Sequence, residues 1–109
     1  GRLDRAERES MMKKRFFKTK DDCEVSFELD IDQAEQVELV CEANGWQPIS
    51  MKKAKKTGTF RTKVRLPQER EFEFRYLVDQ RSWVNDEQAD AYVTNDFGGK
   101  NGVLSTRRA

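Results

Sequence analysis

In four runs between Cys23 and Val78 apolar residues return at every second position, and that period leaves each run little choice but extended strand. Cys23, Val25, Phe27 and Leu29 alternate with Glu24, Ser26 and Glu28. Val37, Leu39 and Cys41 alternate with Glu38 and Val40, and Phe60, Val64 and Leu66 share a phase opposite Arg61, Lys63 and Arg65. Phe72, Phe74, Tyr76 and Val78 share another, opposite Glu71, Glu73, Arg75 and Leu77. Successive strand side chains point to opposite faces. Each run is therefore apolar on one face and polar on the other, the mark of antiparallel sheets with a single buried face.

Turn signals cut these runs at Asp30–Gln33, Asn44–Gly45, Gln47–Pro48, Thr57–Gly58, Pro67–Arg70, Gln80–Ser82, Asn95–Gly99 and Asn101–Gly102. The pattern predicts an all-β fold over residues 21–109, an immunoglobulin-like β-sandwich of about seven antiparallel strands. Residues 1–20 read differently, dense in charge and poor in β-branched side chains. Asp4 with Arg8 and Glu9 with Lys13 are acid-before-base pairs at helical spacing, and Leu3, Ala6, Met12 and Phe16 follow that spacing loosely. A charged N-terminal arm, flexible or partly helical, is the expectation there. Met11 or Met12 offers a natural start, so residues 1–10 are read as an extension or an appended segment.

Composition excludes several functions. The chain has 109 residues with 21 bases and 20 acids, a net charge of +1. That balance does not supply the concentrated positive field of a nucleic-acid binder. The run Lys52–Lys56 reads as a solvated hairpin tip, and Lys13–Lys18, which mixes bases with Phe16 and Phe17, lacks the patterned aromatics of an RNA-binding sheet. No run approaches about 18 apolar residues, so no membrane span is expected. No secretory leader is recognised either, and the expected location is cytoplasmic.

Histidine is absent, which removes the commonest general base and metal ligand. Asp79 with Asp86 or Glu87 is the nearest thing to a catalytic carboxylate pair, and nothing in the sequence positions it. No enzyme activity, metal or cofactor is expected. Cys23 and Cys41 form no Cys-x-x-Cys pair and sit at apolar phases, which favours buried free thiols in a reducing compartment. A disulfide between them is the competing reading. If the first two strands form a hairpin around residues 30–35, Cys41 faces about position 24 or 25 and Cys23 lies off register.

Three elements are candidates for function. In Glu42-Ala43-Asn44-Gly45-Trp46-Gln47-Pro48 a strand ends in a turn and a tryptophan follows. Trp46 is either the core tryptophan of the sandwich or an indole held at its rim, where its flat face suits a sugar ring. Arg75 lies between inward neighbours, so its guanidinium points outward. It is either a solvated strand-face arginine, paired with Glu71 or Glu73, or a donor array for ligand oxygens. Trp83 follows a polar hairpin turn. Downstream, Val93–Gly102 holds a Gly-Gly pair and Asn101, whose amide offers both donor and acceptor. The bland reading of that loop is a plain connection before the last strand, Val103–Ser105.

Taken in order, these elements resemble carbohydrate-binding module family 48, the glycogen- and starch-binding early-set domains of isoamylase N-terminal type, which include the glycogen-binding domain of the AMP-activated kinase β subunit. The family pattern is a strand ending LVGDFNxW, a YKFxVDGxW hairpin and an N-x-x-G-x-x-N loop. The counterparts here are Leu39–Trp46, Phe74–Trp83 and Asn95–Asn101, and the resemblance covers residues 23–106. It implies non-catalytic binding of α-1,4-linked glucan such as glycogen, starch or a maltooligosaccharide. By position, Trp46 and Trp83 become stacking platforms, Arg75 a sugar-bonding group, Phe97 an apolar wedge, and Gly99 and Asn101 loop contacts. Cys41, Ala43 and Gln80 depart from the family's usual glycine, phenylalanine and glycine, and one extra residue precedes Trp83. The alternative is a protein-interaction or regulatory domain on the same sandwich.

Overall fold

A computed structural model describes residues 8–19 and 21–108. It contains ten strands: β1 (Arg8–Phe16), β2 (Asp22–Ile31), β3 (Val37–Cys41), β4 (Ile49–Ser50), β5 (Lys52–Lys53), β6 (Phe60–Pro67), β7 (Glu71–Val78), β8 (Ser82–Val84), β9 (Ala91–Thr94) and β10 (Lys100–Ser105). A single 3₁₀ turn, Glu42–Asn44, follows β3. The strands form two antiparallel sheets, compatible with an immunoglobulin-like sandwich. One has the order β1-β2-β6-β5 and the other β4-β3-β7-β10-β9, with β8 also paired to β7.

The period-two runs become the two inner faces. Cys23, Val25, Phe27 and Leu29 of β2 are fully buried, as are Val37 and Leu39 of β3, Phe74 and Tyr76 of β7 and Leu104 of β10. Phe27 meets Phe74 edge-on across the sheets at 5.4 Å, and Phe74 meets Tyr76 at 6.0 Å. Gly102 faces this aromatic stack. A Cβ there would lie 3.3 Å from the Phe74 ring and 3.2 Å from the Ala89 side chain, so any side chain would crowd both neighbours.

The arm expected over residues 1–20 contains a strand, Arg8–Phe16. Residues 1–7 and 20 lie outside the described residues, but β1 pairs with β2 from Arg8 opposite Ile31 to Phe16 opposite Cys23. The reason is that β2 is a central strand with two edges to satisfy, and β1 fills one. Met12 and Phe16 pack against the core. In the same phase Ser10 donates to Asp86 Oδ1 at 2.9 Å and Lys14 Nζ reaches Asp90 Oδ2 at 2.6 Å. Two of the four inward positions are thus polar, which hides the alternation.

The cysteine geometry also differs from the hairpin expectation. β2 and β3 belong to different sheets, so Cys23 and Cys41 do not share a ladder. Both are free and buried, and burial pushes each thiol above its ordinary range. On the side away from β1 the chain changes sheets at Met51, between β4 and β5. Met51 is buried there and its N–H donates to Val37 O at 2.9 Å.

Candidate functional site

The site is built on the outer face of the second sheet. Phe74 and Tyr76 point inward, so Arg75 points outward. Its neighbour across the ladder, Val40, is buried on that same outer face. β8 brings Trp83 opposite Leu77, two positions along β7 from Arg75 and on the same side. The Arg75 guanidinium carbon lies 4.8 Å from the centre of the Trp83 ring. Trp83 remains 48% exposed. No described residue forms an ion pair with Arg75, and its buried Nε–H has no acceptor. Glu71 instead faces Arg107 at 3.8 Å, and Glu73 is taken by Asn101.

The β7–β8 turn explains why the extra residue leaves Trp83 on this face. Asp79 and Gln80 both adopt positive φ, 50° and 57°, and Arg81 N–H donates to Val78 O. That is a hairpin turn of the primed type, which matches strand twist. Asp79 Oδ1 accepts the N–H groups of Glu35 and Gln36, each at 2.9 Å, and braces it.

Trp46 sits at a second turn. Gly45 and Trp46 both have positive φ, 73° and 65°, and Trp46 N–H donates to Cys41 O at 3.1 Å. Left-handed backbone is uncommon for a bulky residue and costs about 1–2 kcal/mol. The indole is 40% exposed. Glu42 fixes this turn to β7, its Oε1 accepting Glu73 N–H at 2.8 Å. The two tryptophan-bearing elements thus meet β7 at Glu73 and Leu77, roughly 13 Å apart at strand rise.

The third element is the β9–β10 turn. Asn95 Oδ1 accepts the N–H groups of Phe97 and Gly99, at 2.9 and 3.0 Å, and so ties the loop to itself. Phe97 stands 95% exposed at its tip. A Cβ at Gly99 would meet the Asn95 amide nitrogen at 3.4 Å, an ordinary van der Waals contact. Asn101 is buried, and both ends of its amide are engaged. Nδ2 donates to Glu73 Oε1 at 2.9 Å, and Oδ1 accepts from Asn95 Nδ2 at 3.2 Å. It holds the face together from within.

The structure thus brings Arg75 and Trp83 into contact and links Asn101, Glu73, Asn95 and Gly99 in one network. Trp46 and Phe97 are exposed on separate turns. Asn95 and Val93 lie in the run singled out from the sequence but were given no role of their own; Val93 is an exposed apolar residue opposite Asn101. The signal for Asn95 was its place at the head of a turn containing two glycines.

Two of the three carboxylates considered for catalysis, Asp79 and Asp86, have structural partners. Asp79 braces a turn. Asp86 is fully buried, accepting from Tyr76 Oη at 2.7 Å, Ser10 Oγ at 2.9 Å and Gln88 N–H at 2.7 Å. Among the described residues no group of three acidic, cysteine or histidine side chains could hold a metal ion, and no helix is long and apolar enough to cross a membrane. No protein-family model matches the chain, and no curated protein matches it.

Proposed function

We propose that the chain is a non-catalytic binding module for α-1,4-linked glucan, of the glycogen or starch type, and a member of carbohydrate-binding module family 48. The observation that carries this reading is the Arg75–Trp83 stack on an exposed sheet face. An indole backed by a guanidinium is held in one orientation before any ligand arrives, so less rotamer freedom is lost on binding. Its open face suits the C–H side of a pyranose ring. The Arg75 terminal amines, uncompensated by any carboxylate among the described residues, are donors suited to sugar hydroxyls.

Trp46 supports the same reading from a different direction. Strained backbone under a bulky residue persists where the surrounding structure enforces it, and such positions cluster at binding sites. Phe97 would extend the platform as an apolar wedge. Asn101 and Gly99 would act through the shape of the loop rather than by contact. Few contacts on an open, hydrated face imply weak binding, from micromolar to millimolar, or about −8 to −4 kcal/mol.

Titration with a cyclic maltooligosaccharide, followed by the two indole N–H signals in a heteronuclear NMR spectrum, tests the proposal. Saturable shifts of both signals are the expected result. Unmoved indole signals at millimolar ligand would remove it.

A further inference from the structure

A strand edge without a neighbour offers backbone donors and acceptors to another chain. β6 has such an edge for most of its length. β2 pairs with β6 from Pro67 to Phe60, but on the opposite side β5 covers Arg61 and Phe60 alone. The ladders also fix which groups face outward. Gln68 N–H donates to Asp21 O, continuing the β2 ladder and turning the even-numbered residues of β6 toward β2. Ala54 N–H donates to Thr59 O, so the odd-numbered residues face the other way. Lys63 and Arg65 therefore aim their N–H and C=O groups at the open edge, where no described backbone meets them.

A cavity of about 90 Å³ opens beside that edge, between the two sheets. Val64, Arg65 and Leu66 of β6 line one side, with Leu39 and Cys41 of β3 and Ile49 of β4 on the other. Ala43 lines it too, so the space lies next to one of the positions where the sequence is smaller than the family pattern.

Charge supplies the third observation. The segment 43–68 contains seven bases and no acid, which leaves 14 bases against 20 acids on the rest of the chain. Lys52, Lys53, Lys55, Arg61 and Lys63 surround an open groove of about 520 Å³ along the same edge. Of the segment's bases, Arg61 and Arg65 have carboxylate partners among the described residues, Glu28 and Asp22.

We propose that the free edge of β6 is a docking site for an extended segment of a partner protein in which acidic and apolar residues alternate. The segment adds a strand beside Lys63 and Arg65. Its inward side chains enter the cavity between the sheets, and its outward carboxylates meet Lys63 and the Lys52 side of the groove. A second copy of this chain does not fit, because edge-to-edge pairing would set Lys63 and Arg65 against their own like charges. A nucleic acid would engage the lysines but leave the ladder groups and the cavity unused.

The test uses the unmodified protein and a short capped peptide that alternates glutamate with valine and phenylalanine. The expected result is saturable shifts at the Lys63 and Arg65 amides with slowed hydrogen exchange there. The same peptide N-methylated on the groups that would face β6 should bind about tenfold more weakly or worse. The pair Lys63→Glu and Arg65→Glu should lose the peptide while keeping its response to cyclic maltooligosaccharide. Absence of saturable shifts at millimolar peptide overturns the proposal. So does equal binding of the N-methylated peptide, of a scrambled peptide, or of a single-stranded oligonucleotide, since each would reduce the edge to a diffuse cationic surface.

Discussion

The Arg75 guanidinium lies against the Trp83 indole, 4.8 Å from carbon to ring centre, and not against either glutamate of its own strand. Strand geometry imposes this. Glu71 and Glu73 share the outward phase with Arg75, but they are held by Arg107 and Asn101. The ring then supplies the counterpart for the cation.

Trp83→Ala and Arg75→Ala should therefore each abolish most binding to a cyclic maltooligosaccharide, with thermal midpoints within about 5 °C of the parent. In a double-mutant cycle on stability the pair should couple by about 0.5–1 kcal/mol. Calorimetric titration and thermal unfolding of the three variants measure both quantities. Additive stabilities would show that the stack contributes nothing to holding the ring.

At Trp46 the usual order of alanine over glycine should reverse. Both substitutions remove the indole and should weaken glucan binding alike. The backbone at φ 65° suits glycine and penalises any residue with a Cβ. Trp46→Gly should therefore be more stable than Trp46→Ala by about 1 kcal/mol in denaturant unfolding. Alanine proving the more stable would mean that the turn relaxes out of the left-handed region once the ring is gone.

Asn101→Asp should convert a structural bond into a pH-dependent repulsion. The new carboxylate would stand where an amide now donates to Glu73 Oε1 at 2.9 Å. Two carboxylates that close cannot both ionise cheaply, so the pair takes up a proton in the folded state. A folded pKa raised above the unfolded value of about 4 gives stability that is complete below that value and lost as pH rises through the folded pKa. The variant should be about 2 kcal/mol less stable than the parent at neutral pH and should recover much of the difference near pH 4. Unfolding curves at the two pH values decide it.

The sandwich was legible because β2, β3, β6 and β7 carry clean period-two patterns, and only residue phase is needed to assign their inner faces. Strand β1 was not, because Ser10 and Lys14 interrupt its apolar phase. Their partners, Asp86 and Asp90, lie some 76 residues away in sequence. The cysteine register failed for a related reason. A short link between strands suggests a hairpin, but residues 32–36 carry the chain from one sheet to the other. In the site, phase alone placed Arg75 outward, whereas turn position left Trp46 open between core and rim and only the family resemblance favoured the rim. The burial of Asn101 was beyond reach, because it depends on Glu73 and Asn95 converging from two other segments.

Alkaline pH should expose the buried contact between Tyr76 and Asp86. Tyr76 is fully buried, and its Oη donates to Asp86 Oδ2 at 2.7 Å. Burial foremost, then the adjacent Asp86 charge and the hydrogen bond to it, pushes the phenol well above its ordinary value near 10. The unfolded chain loses this proton first, so stability is complete below about pH 10 and falls as pH rises further. Cys23 and Cys41, also raised by burial, begin the same decline from about pH 9. Tyr76→Phe should cost about 1–2 kcal/mol at neutral pH, because Asp86 keeps Ser10 and the Gln88 N–H but loses one donor. In exchange its alkaline decline should be shallower, with the cysteine and Tyr92 contributions left in place. Denaturant midpoints from neutral pH to beyond pH 10, with phenolate absorbance recorded alongside, separate the contributions. An equally steep decline in Tyr76→Phe would place the alkaline sensitivity elsewhere in the fold.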